Sequence, residues 1–391
     1  MKNIKTAIII LLLITLSTTG ILAFSSYSTE TQQFDTSLTD QSTTVYTIPE
    51  KIYITQISSP SKELSTNPSL WAQTLYYYYI TRLYLPDLPY TYLLDENGVL
   101  YDGKTGGIGA NLQFNDLDNV VLIGYLSNTP ILTARAEASL KELVETLSSE
   151  WGISEVKAVK LKILQEQNKF SSISVVEAPT EFTNSLKSSL EGVQLSTEEN
   201  HQYKVKIESV EYNKESVVGS RSKVTIRLTN ANEFPWFTDK EPIYISTKSG
   251  KESDLAVNKV WSSFSKPLEI SDQIVKPGET IELEFEVEAK VLMGEVREEF
   301  VLQRIDEEPF EGSDFEVKIT VTRGDNTLVQ VNSPQFGFVN IRKCRWASCE
   351  IIDSPKDGTV FILLGEEEGW YKIQYEPGVE GWAMLRYFKK I

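Results

Sequence analysis

The segment Tyr90-Thr91-Tyr92-Leu93-Leu94-Asp95-Glu96-Asn97-Gly98-Val99-Leu100-Tyr101 decides how the first half of the chain is read. Apolar and polar residues alternate on both sides of Asn97-Gly98, as in two half-buried strands, and Asn-Gly supplies the positive φ values of a type I′ turn. Upstream, Lys51-Ile52-Tyr53-Ile54-Thr55-Gln56-Ile57 alternates as a strand. Between them, Pro68 opens a helical stretch to Leu83 in which Trp71, Leu75, Tyr78, Tyr79 and Arg82 recur at helical spacing. Downstream, Asn119 opens a further apolar run to Leu126 that suits a buried strand. It leads into a helix capped by Thr133, with Leu140, Leu143, Val144 and Leu147 on one face and Trp151-Gly152-Ile153 at its end. Alternating strands and helices make residues 48–198 an α/β or α+β region.

Composition bounds the function. A chain of 391 residues is long enough for two or three domains, each with a core. Lysine and arginine total 38 against 55 acidic residues, a net charge of −17, so neither nucleic-acid phosphates nor an anionic bilayer surface is an expected partner. One histidine, His201, and two cysteines, Cys344 and Cys349, exclude a histidine-rich zinc site and any mechanism needing two histidines. No cofactor or metal is expected. His201 falls at a junction and reads as a solvated linker residue.

The N-terminus points to export. Lys2 and Lys5 precede an apolar run, Ala7 to Leu16, that continues more weakly to Phe24. Residues 1–24 are either a cleaved signal peptide, with Ala23 and Ser25 near the cut, or a retained membrane anchor, since the run approaches the roughly 20 residues that span a bilayer. The positive charges keep this end inside and send the rest beyond the membrane. Residues 25–47, rich in Ser, Thr and Gln, read as a flexible linker. The protein is expected in the cell envelope, anchored or secreted.

The run from Asp87 to Asp95, then Gly98-Val99-Leu100-Tyr101-Asp102-Gly103-Lys104, Gly107-Ile108-Gly109-Ala110-Asn111 and Val121-Leu122-Ile123-Gly124-Tyr125-Leu126, resembles the amidase-2 family of N-acetylmuramoyl-L-alanine amidases and peptidoglycan recognition proteins. The resemblance implies an α/β domain over 48–198 and peptidoglycan as ligand. It also implies three zinc ligands, and here this sequence departs. The first position falls at Thr55-Gln56, the second at Asn111 and the third before Ala178-Pro179-Thr180, none of them His or Cys. Without zinc, a water nucleophile keeps a pKa near 15.7 instead of about 7. The domain is thus read as catalytically degenerate, with Asn111 and Tyr90 as ligand-binding candidates and a hairpin-core role as the alternative for Tyr90. An active amidase with an unusual site, built on Asp87, Asp95 and Asp102 around a hard cation, is the rival reading.

From residue 202 to 323 the helical period disappears. Val205–Val210, Lys223–Asn230, Ile281–Glu288 and Phe315–Val321 alternate as strands, and Lys276-Pro277-Gly278-Glu279 is a turn. Thr229-Asn230, Pro235-Trp236, Pro277-Gly278-Glu279 and Met293-Gly294 resemble a tryptophan-containing bacterial Ig-like domain, a spacer or partner-binding module, with Trp236 and Trp261 as core anchors. Residues 328–391, with Val339-Asn340-Ile341-Arg342, Gly358–Leu364, Gly369-Trp370-Tyr371-Lys372-Ile373 and Gly381-Trp382-Ala383, resemble the bacterial SH3-like domain. That implies a small barrel closed around Val360, Ile362, Leu364, Ile373 and Ala383, and a peptidoglycan-binding groove for which Trp370, Tyr371, Trp382 and Tyr387 are candidates, unless the tryptophans close the barrel. In an oxidising compartment Cys344 and Cys349 can staple the first loop as a disulfide; in a reducing one they stay free thiols.

The expected fold class is multidomain α+β: an amidase-like α/β domain, an Ig-like β-sandwich and a small SH3-like β-barrel. The expected function is peptidoglycan binding at the cell envelope, with an envelope protein–protein adaptor as a further alternative.

Overall fold

The computed structural model describes residues 44–166, 169–290, 294–376 and 378–391. The apolar N-terminal run and the linker as far as residue 43 lie outside the described residues. The chain divides into two compact units, residues 1–200 and 201–391. Of the described residues 42% are in strands and 15% in helices, with four α-helices, so the α+β assignment for the whole chain is overturned: the protein is predominantly β. Among the described residues α-helices are confined to the first unit, and even there a long strand pair, outside the expected elements, adds to the sheet.

The first unit contains β1 (Val45–Tyr46), β2 (Lys51–Ile57), helices α1 (Lys62–Ser65) and α2 (Pro68–Thr81), β3 (Tyr92–Asp95), β4 (Leu100–Asp102), β5 (Ala110–Asn111) and β6 (Val120–Leu126). Helix α3 (Ala134–Trp151), β7 (Glu155–Glu166), β8 (Lys169–Glu177) and α4 (Thr180–Ser189) complete it. Six strands form one sheet in the order β4-β3-β6-β2-β7-β8. β6 runs parallel to β3 and β2, β7 runs parallel to β2, and β4 and β8 are antiparallel edges. All seven residues of β6 are buried, as a central parallel strand covered on both faces requires. Val120, Leu122 and Leu126 join Trp71, Tyr76 and Tyr79 of α2 in one cluster. By the strand's period of two, Val121, Ile123 and Tyr125 point to the opposite face, where the Thr133 N–H at the start of α3 donates to Tyr125 Oη at 3.4 Å. Thr133 caps α3 through Ala136 N, and Gly152 ends it at φ +63.

The deciding hairpin forms with a different turn. Leu94 pairs with Leu100, leaving a five-residue connection in which Gly98 has positive φ and Asn97 does not; this is not a type I′ turn. Asp95 takes over the work of an Asn-Gly pair. Its Oδ1 accepts from Asn97 N at 2.8 Å and Val99 N at 2.9 Å, and its Oδ2 accepts from Tyr101 Oη at 3.2 Å, an Asx-type closure.

Helix α2 also differs from its expected phase. Trp71, Ala72, Tyr76 and Tyr79 face the core, while Tyr78 and Arg82 are exposed. Tyr84, just beyond the helix, takes φ +56, a left-handed position usually given to Gly or Asn. Tyr84→Gly is expected to raise stability by roughly 0.5–1 kcal/mol, seen as a higher urea midpoint at unchanged slope. An unchanged midpoint would mean that the turn stores no strain.

The second unit begins with a two-sheet sandwich built from β9 (Val205–Tyr212), β10 (Glu215–Val217), β11 (Arg221–Asn230), β12 (Trp236–Phe237), β13 (Ile243–Thr247), β14 (Leu268–Ile270), β15 (Ile274–Val275), β16 (Thr280–Glu288), β17 (Gly294–Arg304) and β18 (Phe315–Thr322). Sheets ordered β10-β18-β17-β13-β14 and β16-β11-β9 enclose one core holding Trp236, Trp261, Phe285 and Phe300. Both indoles are satisfied: Trp236 Nε1 donates to Asn232 Oδ1 at 3.0 Å and Trp261 Nε1 to the Glu286 carbonyl at 2.7 Å.

His201 is packed, not solvated. Its ring lies 4.8 Å from that of Phe234 and 5.7 Å from that of Tyr203, and burial, reinforced by the Arg304 charge, pushes its pKa down to about 4. The unfolded chain takes up this proton below about 6.5 and the folded chain refuses it until about 4. The stability contributed by the neutral ring is therefore complete above about pH 6.5 and is lost as pH falls through that window, a change of about 3 kcal/mol. His201→Gln is expected to flatten this part of the pH–stability profile measured by urea unfolding. Parallel wild-type and variant profiles between pH 7 and 4 would contradict it.

The last seven strands are β19 (Thr327–Val331), β20 (Ile341–Arg342), β21 (Ile351–Asp353), β22 (Val360–Glu367), β23 (Trp370–Glu376), β24 (Val379–Met384) and β25 (Phe388–Lys390). They form one sheet ordered β21-β20-β24-β23-β22-β19-β25, wrapped around Val329, Val331, Ile341, Phe361, Tyr371, Ile373, Ala383 and Phe388. The expected core of β22 is corrected here. Phe361 faces inward, Ile362 joins the core of the sandwich, and Leu364 is exposed.

Candidate functional site

Two places carry the residues singled out by sequence. The first is the α2-covered face of the six-stranded sheet. Tyr90 is buried there, and its hydroxyl meets that of Tyr79 at 2.8 Å with the rings edge to face; burial pushes its pKa well above the ordinary phenol value. Thr55, at the end of β2, is buried beside Gly124 in register. A Cβ at Gly124 would lie 2.6 Å from Ile57, 2.8 Å from Leu93 and 3.0 Å from Tyr90, so apolar atoms fill the space next to the strand end. Gln56 donates from Nε2 to the Ser127 carbonyl at 3.0 Å. Asn111 holds its own loop: Nδ2 donates to Asp118 Oδ1 at 2.8 Å and Oδ1 accepts from Gln113 N at 2.7 Å. Pro179 stands before α4.

The zinc of the amidase family does not fit these residues. Among the described residues no group of three His, Cys, Asp or Glu side chains is placed to hold a metal ion. The carboxylates of the rival reading do not gather either. Asp87 accepts from Leu88 N at 2.6 Å, Thr105 N at 2.8 Å and Thr105 Oγ1 at 2.6 Å, and Asp95 closes the hairpin loop.

Lys104, quoted above only as part of a motif, is a buried ammonium that donates to the Ala110 carbonyl at 2.9 Å. Burial pushes its pKa down to about 8, against a smaller upward pull from Asp87, whose own pKa is raised by burial. Lys104 and Asp87 brace the glycine-rich loop between β4 and β5; no sequence pattern distinguished this lysine from a surface one.

The second place is the outer face of β23 and β24. Along β23, Tyr371 and Ile373 point into the core and Trp370 and Lys372 point out; along β24, Ala383 points in and Trp382 and Met384 point out. Trp370 pairs with Met384 and Lys372 with Trp382, so the two tryptophans are diagonal neighbours, within reach of one another across the strands. Both are half-buried. Arg342 of β20 pairs with Trp382 on its other side, and Lys372 is bridged to Glu380 at 2.5 Å. Tyr371 is not part of this face: it packs edge-on against Phe388 at 5.9 Å. Tyr387 lies against exposed Phe336 at 6.1 Å, with the Arg386 guanidinium 4.7 Å from its ring.

Sequence reading missed Trp346. Cys344 and Cys349 are disulfide-bonded with Cα atoms 5.8 Å apart, and the short loop between them holds Trp346 at 58% exposure. Arg345 of the loop pairs with Glu367 at 2.5 Å and Glu368 at 3.8 Å, and Glu367 is the register partner of Trp370. The loop is therefore tied to the end of the sheet that carries Trp370 and Met384. An exposed tryptophan between two cysteines was the available signal.

No protein family matches the chain, and a search of curated proteins finds no relative. Solved structures similar to parts of the chain include peptidoglycan recognition proteins. One from Alvinella pompejana is 13% identical, with 32% of this chain and 82% of that chain covered and a TM-score of 0.26. A human one, in complex with glycosamyl muramyl pentapeptide, is 18% identical over 29% of this chain and 73% of that chain, TM-score 0.25. A CARDB domain from Pyrococcus furiosus is 10% identical over 31% of this chain and 95% of that chain, TM-score 0.22.

Proposed function

We propose that this chain is an exported cell-envelope protein that binds peptidoglycan without hydrolysing it. The observation that carries the reading is the outer face of β23 and β24, where Trp370, Trp382 and Met384 stand half-exposed beside the disulfide-held Trp346. Aromatic rings offer large contact area at low entropic cost, and an arrangement of this kind suits the stem peptides or cross-bridges of a wall. Residues 48–198 act as a catalytically degenerate N-acetylmuramoyl-L-alanine amidase-like domain, with apolar packing at the end of β2 and, among the described residues, no donor set for zinc. If this domain also touches the wall, two weak contacts on one chain raise avidity through effective concentration. Residues 1–24 direct export and, if retained, anchor the chain in the membrane.

Cosedimentation of the full chain with purified cell walls tests the proposal. It predicts protein in the pellet, with modest sensitivity to salt because the face relies on rings rather than net charge. A chain that stays in the supernatant at every wall concentration would refute it.

A further inference from the structure

The chain has two cysteines, Cys344 and Cys349, and they are joined to each other, so the pair has no third thiol to exchange with. They close a short loop, Arg345 to Ser348, in which Trp346 N donates to the Cys344 carbonyl at 2.9 Å and Cys349 N to the Trp346 carbonyl at 3.0 Å. Both cysteines are partly open to solvent, and Trp346, Ala347 and Ser348 are exposed. The core of the small sheet takes no residue from 343 to 350. The base of the loop is held without sulfur: Lys343 N donates to the Glu350 carbonyl at 3.1 Å, the Lys343 ammonium pairs with Glu350 at 2.6 Å, and Arg342 Nη1 donates to the Cys349 carbonyl at 2.6 Å. Within the loop, the Arg345 guanidinium lies 5.9 Å from the Trp346 ring and pairs with Glu367 and Glu368 beside Trp370. Ion pairs at the surface hold a loop weakly, which leaves the sulfur bridge to set where Trp346 stands.

From this arrangement we infer that the Cys344–Cys349 bridge is a reducible switch on the wall-binding face. Closed, it presents Trp346 beside Trp370; opened by an external dithiol, it frees the loop and lowers affinity. The inference rests on the wall-binding reading and adds a regulation of the same face. A bridge at the rim, open to solvent and closing a short loop, is one that a reductant reaches and whose loss costs the fold least. The exchange is balanced. A thiolate of the external dithiol attacks one sulfur of the bridge, the S–S bond breaks and a mixed disulfide forms, and the second thiolate of the dithiol then displaces the protein sulfur. Two electrons pass to Cys344 and Cys349, each of which takes up a proton, and the dithiol leaves as a disulfide. Trp346 contributes to a prearranged surface only while the loop is closed, because a free loop must be ordered again on binding.

The test pellets the full chain with purified walls in its oxidised form and after treatment with dithiothreitol, with the thiols counted by mass after alkylation of a parallel sample. Reduction of the folded protein without denaturant is expected to go to completion and to weaken pelleting by about three- to tenfold, the cost of ordering a freed loop. The unfolding temperature should fall by only a few degrees. Cys344→Ser/Cys349→Ser is expected to pellet as the reduced protein does, in oxidising and reducing buffer alike. In Trp346→Ala the oxidised and reduced forms are expected to pellet equally, since the side chain that the bridge positions is gone. A bridge that dithiothreitol leaves intact in the folded chain overturns the inference. So does reduction that abolishes the folding transition, which would make the bridge a structural staple, and so does a redox effect that persists in Trp346→Ala. Walls that pellet both forms of the wild type equally overturn this inference alone; walls that pellet neither refute the wider reading.

Discussion

Removal of residues 328–391 is expected to unfold the sandwich, not merely to shorten the protein. Leu328 of β19 and Ile362 of β22 are buried in the same cluster as Trp236, Phe300 and Ile319. Each contributes roughly 2–4 kcal/mol of core packing, a large part of the 5–15 kcal/mol that holds a typical domain. The seam is tight in other ways. Gln374 Nε2 donates to the Gly219 carbonyl at 3.2 Å, and Gly219, at φ +76, has Ile362 Cδ1 only 2.4 Å from where a Cβ would stand. A side chain at 219 would both strain the backbone and displace Ile362. Calorimetry is expected to show the transition of residues 201–391 lost or shifted down by tens of degrees in the truncated chain. A truncated chain whose sandwich melts at the full-length temperature would show the two parts to be independent. Gly219→Val should move the same transition in the same direction.

The second large effect concerns binding. Truncating a central aromatic in a contact face typically costs about 2 kcal/mol or more, about 30-fold in Kd. Trp370→Ala/Trp382→Ala is therefore expected to weaken wall cosedimentation by at least about 30-fold. The two rings face outward while Tyr371 and Ile373 fill the core beneath them, so the unfolding temperature should fall by only a few degrees. Trp346→Ala changes a more exposed residue and is expected to cost about tenfold with no change in stability. Unaltered sedimentation of the double variant would remove the outer face from the binding site, and with it the observation on which the functional reading stands.

Much of the architecture was legible from alternation alone. β9, β11, β16 and β18 appear where apolar and polar residues alternate, and the Thr133 cap and Gly152 stop bound α3 as their chemistry dictates. The failures have local causes. In β22 the alternation holds but with the opposite phase: Phe361 and Leu363 face the core of the small sheet, while Val360 and Ile362 pack against the sandwich. Counting in twos through that strand placed Ile362 and Leu364 inside the small sheet, whereas Ile362 serves the sandwich. In the hairpin, Asp95 closed the loop with its side chain, a choice that the Asn97-Gly98 pair concealed. The strand pair β7–β8 was passed over, and with the all-strand second unit it turned the balance from α+β to mainly β. At the candidate sites, Gln56 and Asn111 could be read as substitutions for metal ligands, but only the structure shows Asn111 spent on Asp118 and Gln113 and the strand end packed by Ile57, Leu93 and Tyr90. The outward tyrosines of α2 share their helix with inward ones, and nothing in the run Tyr76-Tyr77-Tyr78-Tyr79 separates them until the helix is docked.

Binding and hydrolysis can be read in one tube. Purified walls are incubated with the full chain and added zinc, then the protein in the pellet and the stem-peptide amino groups released into solution are measured together. Saturable pelleting with no release above a protein-free control is the predicted result. Stem peptides set free in proportion to the protein added, or no protein in the pellet at all, would contradict a wall-binding protein that has lost its catalytic centre.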